Sequence, residues 1–260
     1  MFSENSKPVG LKKVNSTVIL TIDNPPVNAL SIETLNAIDQ ALDHILAERE
    51  IKSVIITGAG GAFIAGLDIK ILLSLDEVSA RNFMHRGQSI MQKIADLPIP
   101  TIAAINGPAL GGGSELALAC DIRLADINAR LGFPEINLGV MPGFGGTQRI
   151  SRMVPLCNAY EMLYTGELIT AGEACRIGMI NRVVPQGQVL NEAIKLTEKI
   201  ASKRQLGIQA IKQAVKLGKQ LSLRDGLAVE AELLGKLCKG EDVKEGVKAF
   251  FEKRSPVFHD

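Results

Sequence analysis

From Ile99 the chain reads Ile-Pro-Thr-Ile-Ala-Ala-Ile, turns at Asn106-Gly107-Pro108, and passes through Ala109-Leu110 into Gly111-Gly112-Gly113 ahead of Ser114-Glu115-Leu116. A run so uniformly apolar has no face to show to water, which predicts a strand covered on both sides. Three glycines between that strand and a helix start let backbone approach a ligand closely and leave amide N–H groups free. Glu115 sets a carboxylate on the helix start. A second acid, Glu135, lies in Phe133-Pro134-Glu135-Ile136-Asn137-Leu138-Gly139, and Pro142-Gly143-Phe144-Gly145-Gly146 follows. Two acids beside two glycine-rich bends point to acid–base chemistry on an oxygen-bearing substrate.

The rest of the chain supplies the frame for that stretch. Thr17 to Ile22 is a β-branched apolar run ended by Asp23-Asn24-Pro25-Pro26, a strand and its turn. Ser31 offers an N-cap to a helix whose one face carries Ile32, Leu35, Ile38, Leu42, Ile45 and Leu46. Ser53 to Thr57 is a short buried strand closed by Gly58-Ala59-Gly60-Gly61, and an apolar bend over residues 62–70 comes next. Residues 75–96 read as a helix, and Asp121 to Ala125 as another strand. The alternation of short apolar strands with helices predicts an α/β core. After about residue 148 the character changes. Thr170-Ala171-Gly172-Glu173 is a capping box, Met179 to Val184 a last strand, and Val189 to Lys253 shows only helical spacing, split at Gly207, Ser222 and Gly240. Leu223, Leu227, Leu234, Val247, Phe250 and Phe251 are more apolar surface than a lone helical tail needs, so this segment folds back on the core or packs on a neighbouring subunit.

With 260 residues the chain can bury a full core, and 46% hydrophobic against 22% charged residues is ordinary for a globular protein. A net charge of +1 and no Trp give no reason to expect nucleic acid or a membrane surface as partner. Lys195, Lys199, Lys203, Lys212, Lys216 and Lys219 read as a solvated helical face, and Met1 to Val9 holds no apolar core of a secretory signal. Cys120, Cys157, Cys175 and Cys238 are far apart and read as small buried thiols of a reducing compartment, the cytoplasm. His44, His85 and His259 have no metal-ligand spacing. The glycine clusters fail three familiar tests. A dinucleotide fingerprint breaks at Phe63, Leu116 and Gln148, no phosphate loop is present, and Gly112-Gly113-Ser114-Glu115-Leu116 departs from a nucleophile elbow at its fifth position.

Three segments in order carry a resemblance over nearly the whole length: Ala62–Lys70 as A-F-x-A-G-x-D-I-K, Asn106–Ala117 as N-G-x-A-x-G-G-G-x-E-L-A, and Phe133–Arg149 as x-P-E-x-x-L-G-x-x-P-G-x-G-G-T-Q-R. They resemble the enoyl-CoA hydratase/isomerase (crotonase) family, and within it the short-chain hydratases. The resemblance implies an α/β spiral of β-β-α turns over residues 1–187 and a helical trimerisation segment over residues 188–260, with two trimers forming a hexamer. It implies an acyl-CoA thioester as substrate, with coenzyme A entering as part of that substrate and no separate cofactor. The thioester oxygen would be held by the backbone N–H groups of Leu67 and Gly112, within a substrate-binding segment made of Ala65, Gly66, Asp68, Ile69 and Lys70. Lys70 and Lys253 match positions that meet the coenzyme A phosphates, as point charges. Glu115 and Glu135 match the glutamate pair of the hydratase branch, Glu115 activating water and Glu135 delivering the α-proton, and Gly143 matches a position whose N–H helps hold the water. The implied reaction is hydration of trans-2-enoyl-CoA to 3-hydroxyacyl-CoA, and its reverse. The alternatives are a double-bond isomerase, which commonly lacks one of the acids, and a non-catalytic acyl-CoA- or RNA-binding relative.

Overall fold

The computed structural model describes residues 8–258, so the readings of Met1 to Lys7 and of His259 lie outside the described residues. Strands β1 (Val9–Val14) and β2 (Thr17–Ile22) lead into α1 (Ile32–Ala47), β3 (Ser53–Gly58), a 3-10 turn over Ile69–Ser74, α2 (Glu77–Asp96) and β4 (Thr101–Ile105). Next come β5 (Ala109–Leu110), α3 (Gly112–Ala119), β6 (Ile122–Asp126), β7 (Arg130–Gly132), a 3-10 turn over Pro134–Leu138 and the short α4 (Gly146–Ile150). Then follow α5 (Leu156–Thr165), β8 (Ile169–Thr170), α6 (Ala171–Arg176), β9 (Arg182–Val184), α7 (Val189–Ala201), α8 (Gln205–Gly218), α9 (Leu223–Leu237) and α10 (Glu241–Phe251).

Six strands make the main sheet in the order β1-β2-β3-β4-β6-β9, and β5-β7-β8 make a small second sheet. Only β1 runs antiparallel to its neighbour in the main sheet; β2, β3, β4, β6 and β9 are parallel. The apolar runs read from the sequence are apolar throughout because both faces are covered. Val18, Leu20, Val54, Ile56, Ala103 and Ile105 join the larger core, while Ile19, Ile55, Ile102, Ala104 and Leu124 join a second one. Alternate residues of a strand point to opposite faces, so the two lists interleave. Val189 and Ala193 of α7 complete the second core, and that helix contacts β2, β3, β4 and β6. The boundary drawn at residue 187/188 falls in the turn before α7. Helices with no buried residue begin later, with α8 and α9.

Several local readings need correction. Ser31 caps α1 as expected, accepting from the Thr34 amide, but Ile32 and Leu46 are exposed and only Leu35, Ile38, Leu42 and Ile45 of that apolar set are buried. Gly207 does not divide helices. It lies inside α8, and the break falls over residues 202–204. The last strand is only Arg182–Val184, because Ile180 caps a turn whose backbone bonds back to Ala174. The Thr170 cap is half a capping box: Thr170 accepts from the Glu173 amide, while the Glu173 carboxylate turns to Arg176. Of the four cysteines, all free, only Cys120 is buried, and Cys157 and Cys238 are exposed. The lysine face is not simply solvated. Lys212 Nζ donates to Ile99 O and Asp121 Oδ2 at 3.0 and 2.7 Å, Lys216 pairs with Asp96, and Lys195 pairs with Glu192.

Candidate active site

Two asparagines shape the first wall of the site. The Asn106 carboxamide, just past β4, accepts from the Gly58 amide at 3.1 Å and donates to the carbonyls of Gly58 and Gly60 at 3.0 Å. Asn28 donates to the carbonyls of Ala59 and Ala62, both at 2.9 Å. These bonds hold the segment after β3 so that Leu67 pairs with Leu30 in an isolated parallel bridge. That bridge is made by Leu30, whose N–H donates to Gly66 O at 2.8 Å and whose carbonyl accepts from the Asp68 amide at 3.2 Å. In a parallel bridge so bonded, Leu67's own N–H points away from Leu30.

The second wall is the start of α3. Gly111 caps the helix with φ at 50°, a conformation that disfavours side chains, and a Cβ there would stand 2.6 Å from Glu135 Oε1. Gly112 is the first helical residue, so its N–H has no partner within the helix. A Cβ on Gly112 would lie 3.7 Å from the Leu67 nitrogen and 3.0 Å from Leu30 Cδ1. The Gly112 backbone therefore stands beside the Leu67 amide, and a side chain there would press on Leu30.

Glu115 follows in the first turn of α3 and is 2% exposed. Its Oε1 accepts from the amides of Phe144 at 2.8 Å and Gly146 at 2.7 Å. Burial pushes its pKa up to about 7. The Gly146 amide opposes that rise, and the Glu135 charge adds to it. Glu135 sits in the first turn of the 3-10 segment Pro134–Leu138, and burial raises its pKa too. Its Oε2 is buried with no hydrogen-bond partner. A buried carboxylate oxygen without a donor is costly when charged, so this pair is poised to hold and exchange protons.

Both acids border one cavity of about 790 Å³. Of the residues expected from sequence, Ala65, Gly66, Leu67, Ile69, Gly112, Glu115, Glu135 and Gly143 line it. Asp68, Lys70 and Lys253 do not. Asp68 caps the 3-10 turn by accepting from the Lys70 amide at 3.1 Å, and Lys70 and Lys253 are exposed. Gly143 lines the cavity, and its carbonyl accepts from Gln88 Nε2 at 2.9 Å. Sequence reading missed the Phe144 and Gly146 amides that fix Glu115, for which the Pro142–Gly146 bend was the available signal. It also missed Leu72, Ala80 and Met84, which bring the 3-10 turn and α2 to the same cavity.

Among known proteins, the model of the enoyl-CoA hydratase/isomerase family matches residues 12–260. A short-chain-enoyl-CoA hydratase of Clostridium acetobutylicum is 41% identical over 94% of this chain and 94% of its own. A crotonyl-CoA hydratase of Syntrophomonas wolfei is 41% identical over 95% of this chain and 96% of its own. The crystal structure of an enoyl-CoA hydratase from Bacillus anthracis superposes with a TM-score of 0.92 at 37% identity, covering 96% of this chain and 98% of that one.

Proposed function

The chain belongs to the enoyl-CoA hydratase/isomerase family, and from that premise we propose that it hydrates trans-2-enoyl-CoA thioesters to 3-hydroxyacyl-CoA with Glu115 and Glu135 as its acid–base pair. The observation that carries this reading is the meeting of one buried and one half-buried carboxylate with two side-by-side backbone amides on one cavity. The thioester oxygen accepts from the Leu67 and Gly112 N–H groups, which stabilise the charge it gains as C3 is attacked. Glu115, held at Oε1 by two amides, takes a proton from water as the water oxygen bonds to C3. Glu135 gives its proton to C2, the enolate collapses, and the proton taken by Glu115 returns to Glu135 through the exchanging pair. Atoms and charge balance, and the same steps run backwards as dehydration. Both acids are present, which favours hydration over the isomerase reading, where one proton carrier suffices.

Coenzyme A enters as part of the substrate, with no separate cofactor, and Lys70 and Lys253 meet its phosphates, the latter from a neighbouring subunit. We place the protein in the cytoplasm, a reading supported by four free cysteines. Among the described residues no helix is long and apolar enough to cross a membrane. Exposed Leu223, Leu227, Leu234, Phe250 and Phe251 on α9 and α10 support a homotrimer, or a hexamer of two trimers. Sedimentation of the purified chain as a monomer at micromolar concentration would remove that part.

The test of the reaction separates backbone from side chain at Leu67. The wild type consumes enoyl-CoA, read as loss of enoyl absorbance. Leu67→Ala keeps the N–H and most of the activity. Leu67→Pro deletes it and loses roughly a hundred- to a thousandfold in turnover, while still assembling and binding acyl-CoA. Equal activity in the two variants takes Leu67 out of the mechanism.

A further inference from the structure

The cavity has more apolar wall than the reaction uses, and one residue of that wall touches the bend that holds Glu115. Helix α2 presents Ala80 and, one turn on, Met84 to the cavity. The Met84 thioether lies against Gly143, where an added Cβ would collide with its Sδ. A further turn along, α2 closes on the same bend. A Cβ at Gly87 would overlap the Phe144 ring, and Phe83 meets that ring edge-on with centroids 5.7 Å apart. The contacts therefore form an ordered path. It runs from the Leu67 and Gly112 amides to Glu115, one turn into α3, then through the Phe144 amide to Gly143, and ends at Met84. An acyl chain that begins at the two amides and passes the acids can reach Met84, which lies where α2 packs closely on Phe144 through Gly87.

We propose, on the hydratase reading above, that Met84 is the stop for the acyl tail and sets the chain length this enzyme prefers, with Ala80 leaving the space beside it. The tail it admits is an uncharged aliphatic one. Among the described residues, those lining the cavity include no Lys, Arg or His, so an anionic tail end finds no partner there. A thioether is flexible and yields gradually, so longer tails are slowed by degrees.

The experiment compares but-2-enoyl-CoA with oct-2-enoyl-CoA as substrates of the full chain, reading the ratio of their kcat/KM values. Met84→Ala removes the stop and raises the octenoyl-to-butenoyl ratio by at least about tenfold, the discrimination that a hydrophobic pocket gives for a small change of length. Ala80→Leu narrows the space and lowers the ratio, and Met84→Leu keeps it near that of the wild type. Calorimetric binding of butyryl-CoA and octanoyl-CoA reports the same ordering without turnover. If Met84 merely props the Gly143 bend, Met84→Ala lowers kcat equally for both lengths and leaves the binding ratio unmoved, which overturns the stop. A wild type that hydrates neither substrate defeats the hydratase reading and the stop with it. A wild type that hydrates them, with ratios unchanged in the variants, defeats the stop alone.

Discussion

Glu115 and Glu135 border the same cavity, yet the protein treats them differently. Glu115 rises from an eight-residue helix whose every residue is buried, and two backbone amides fix one of its oxygens. Glu135 rises from a 3-10 turn with no buried residue, and one of its oxygens is buried without a partner. Burial raises both pKa values, so desolvation alone does not distinguish them. What distinguishes them is support. One carboxylate is aimed by the fold, and the other keeps a buried oxygen with no hydrogen-bond partner. A water aligned by the fixed acid and a carbon protonated by the other is the division of labour this contrast favours.

The largest expected effect comes from removing each acid's proton chemistry while keeping its shape. Glu115→Gln and Glu135→Gln each slow hydration by at least about a hundredfold, the lower end of the usual range for a general acid–base group. The glutamine oxygen at position 115 can still accept from Phe144 and Gly146, so the first variant keeps its geometry. The double variant falls little below the worse single one, because both groups serve one water and one enolate. Steady-state kinetics over several enoyl-CoA lengths decide this. Near-full activity in either single variant ends the two-acid account.

A smaller effect appears in stability. The Glu115 pKa rises from 4.5 to about 7 on folding, so between those values the folded chain holds a proton that the unfolded chain has lost. Stability is therefore greatest below about pH 4.5 on this account and falls as pH rises to about 7, by at most about 3 kcal/mol at a site so thoroughly buried. Glu115→Gln cannot lose a proton. It is expected to match the wild type in denaturant titrations at the acid end and to exceed it above neutrality. Parallel curves for the two proteins across that window would mean that the carboxylate is charged at little cost, and the Phe144 and Gly146 amides would then outweigh burial.

How much of this was open to sequence reading follows from what kind of interaction each feature uses. The strands β2, β3, β4 and β6 and the caps at Ser31 and Thr170 are local signals of apolar runs and hydroxyl acceptors, and they were readable. Strand β1 was not, because Gly10, Leu11, Lys12 and Lys13 on an exposed edge carry no buried stripe. The helix break over residues 202–204 was misplaced to Gly207, since Ser202, Lys203 and Arg204 lack a breaker and a glycine is tolerated inside a helix at a cost of about 1 kcal/mol. Within the candidate site, Glu115, Glu135 and the glycines were legible because the proposed chemistry calls for those residue types. The Phe144 and Gly146 amides were not, since a backbone donor leaves no side-chain signature. Met84 was hidden among the charged residues of α2, and only long-range packing brings it to Gly143.

The smallest effect asks whether the two acids are as separable as their surroundings suggest. The Glu135 charge is one of the causes that raise the Glu115 pKa, but burial is the larger. Glu135→Gln removes that charge, so the Glu115 titration is expected to move down while staying above the ordinary 4.5, because the buried helix start is unchanged. Carbon-detected NMR of labelled glutamate carboxyls, in wild type and variant, reads this directly and needs no turnover. A fall to the ordinary value would make mutual repulsion, and not burial, the main cause, and the two acids would then titrate as one unit with values belonging to the pair. No movement would mean that Glu135 is uncharged wherever Glu115 titrates. Glu135 would then hold its proton across that range, as the proposed donor to C2 must, and the contrast between a fixed base and a loosely held acid would sharpen.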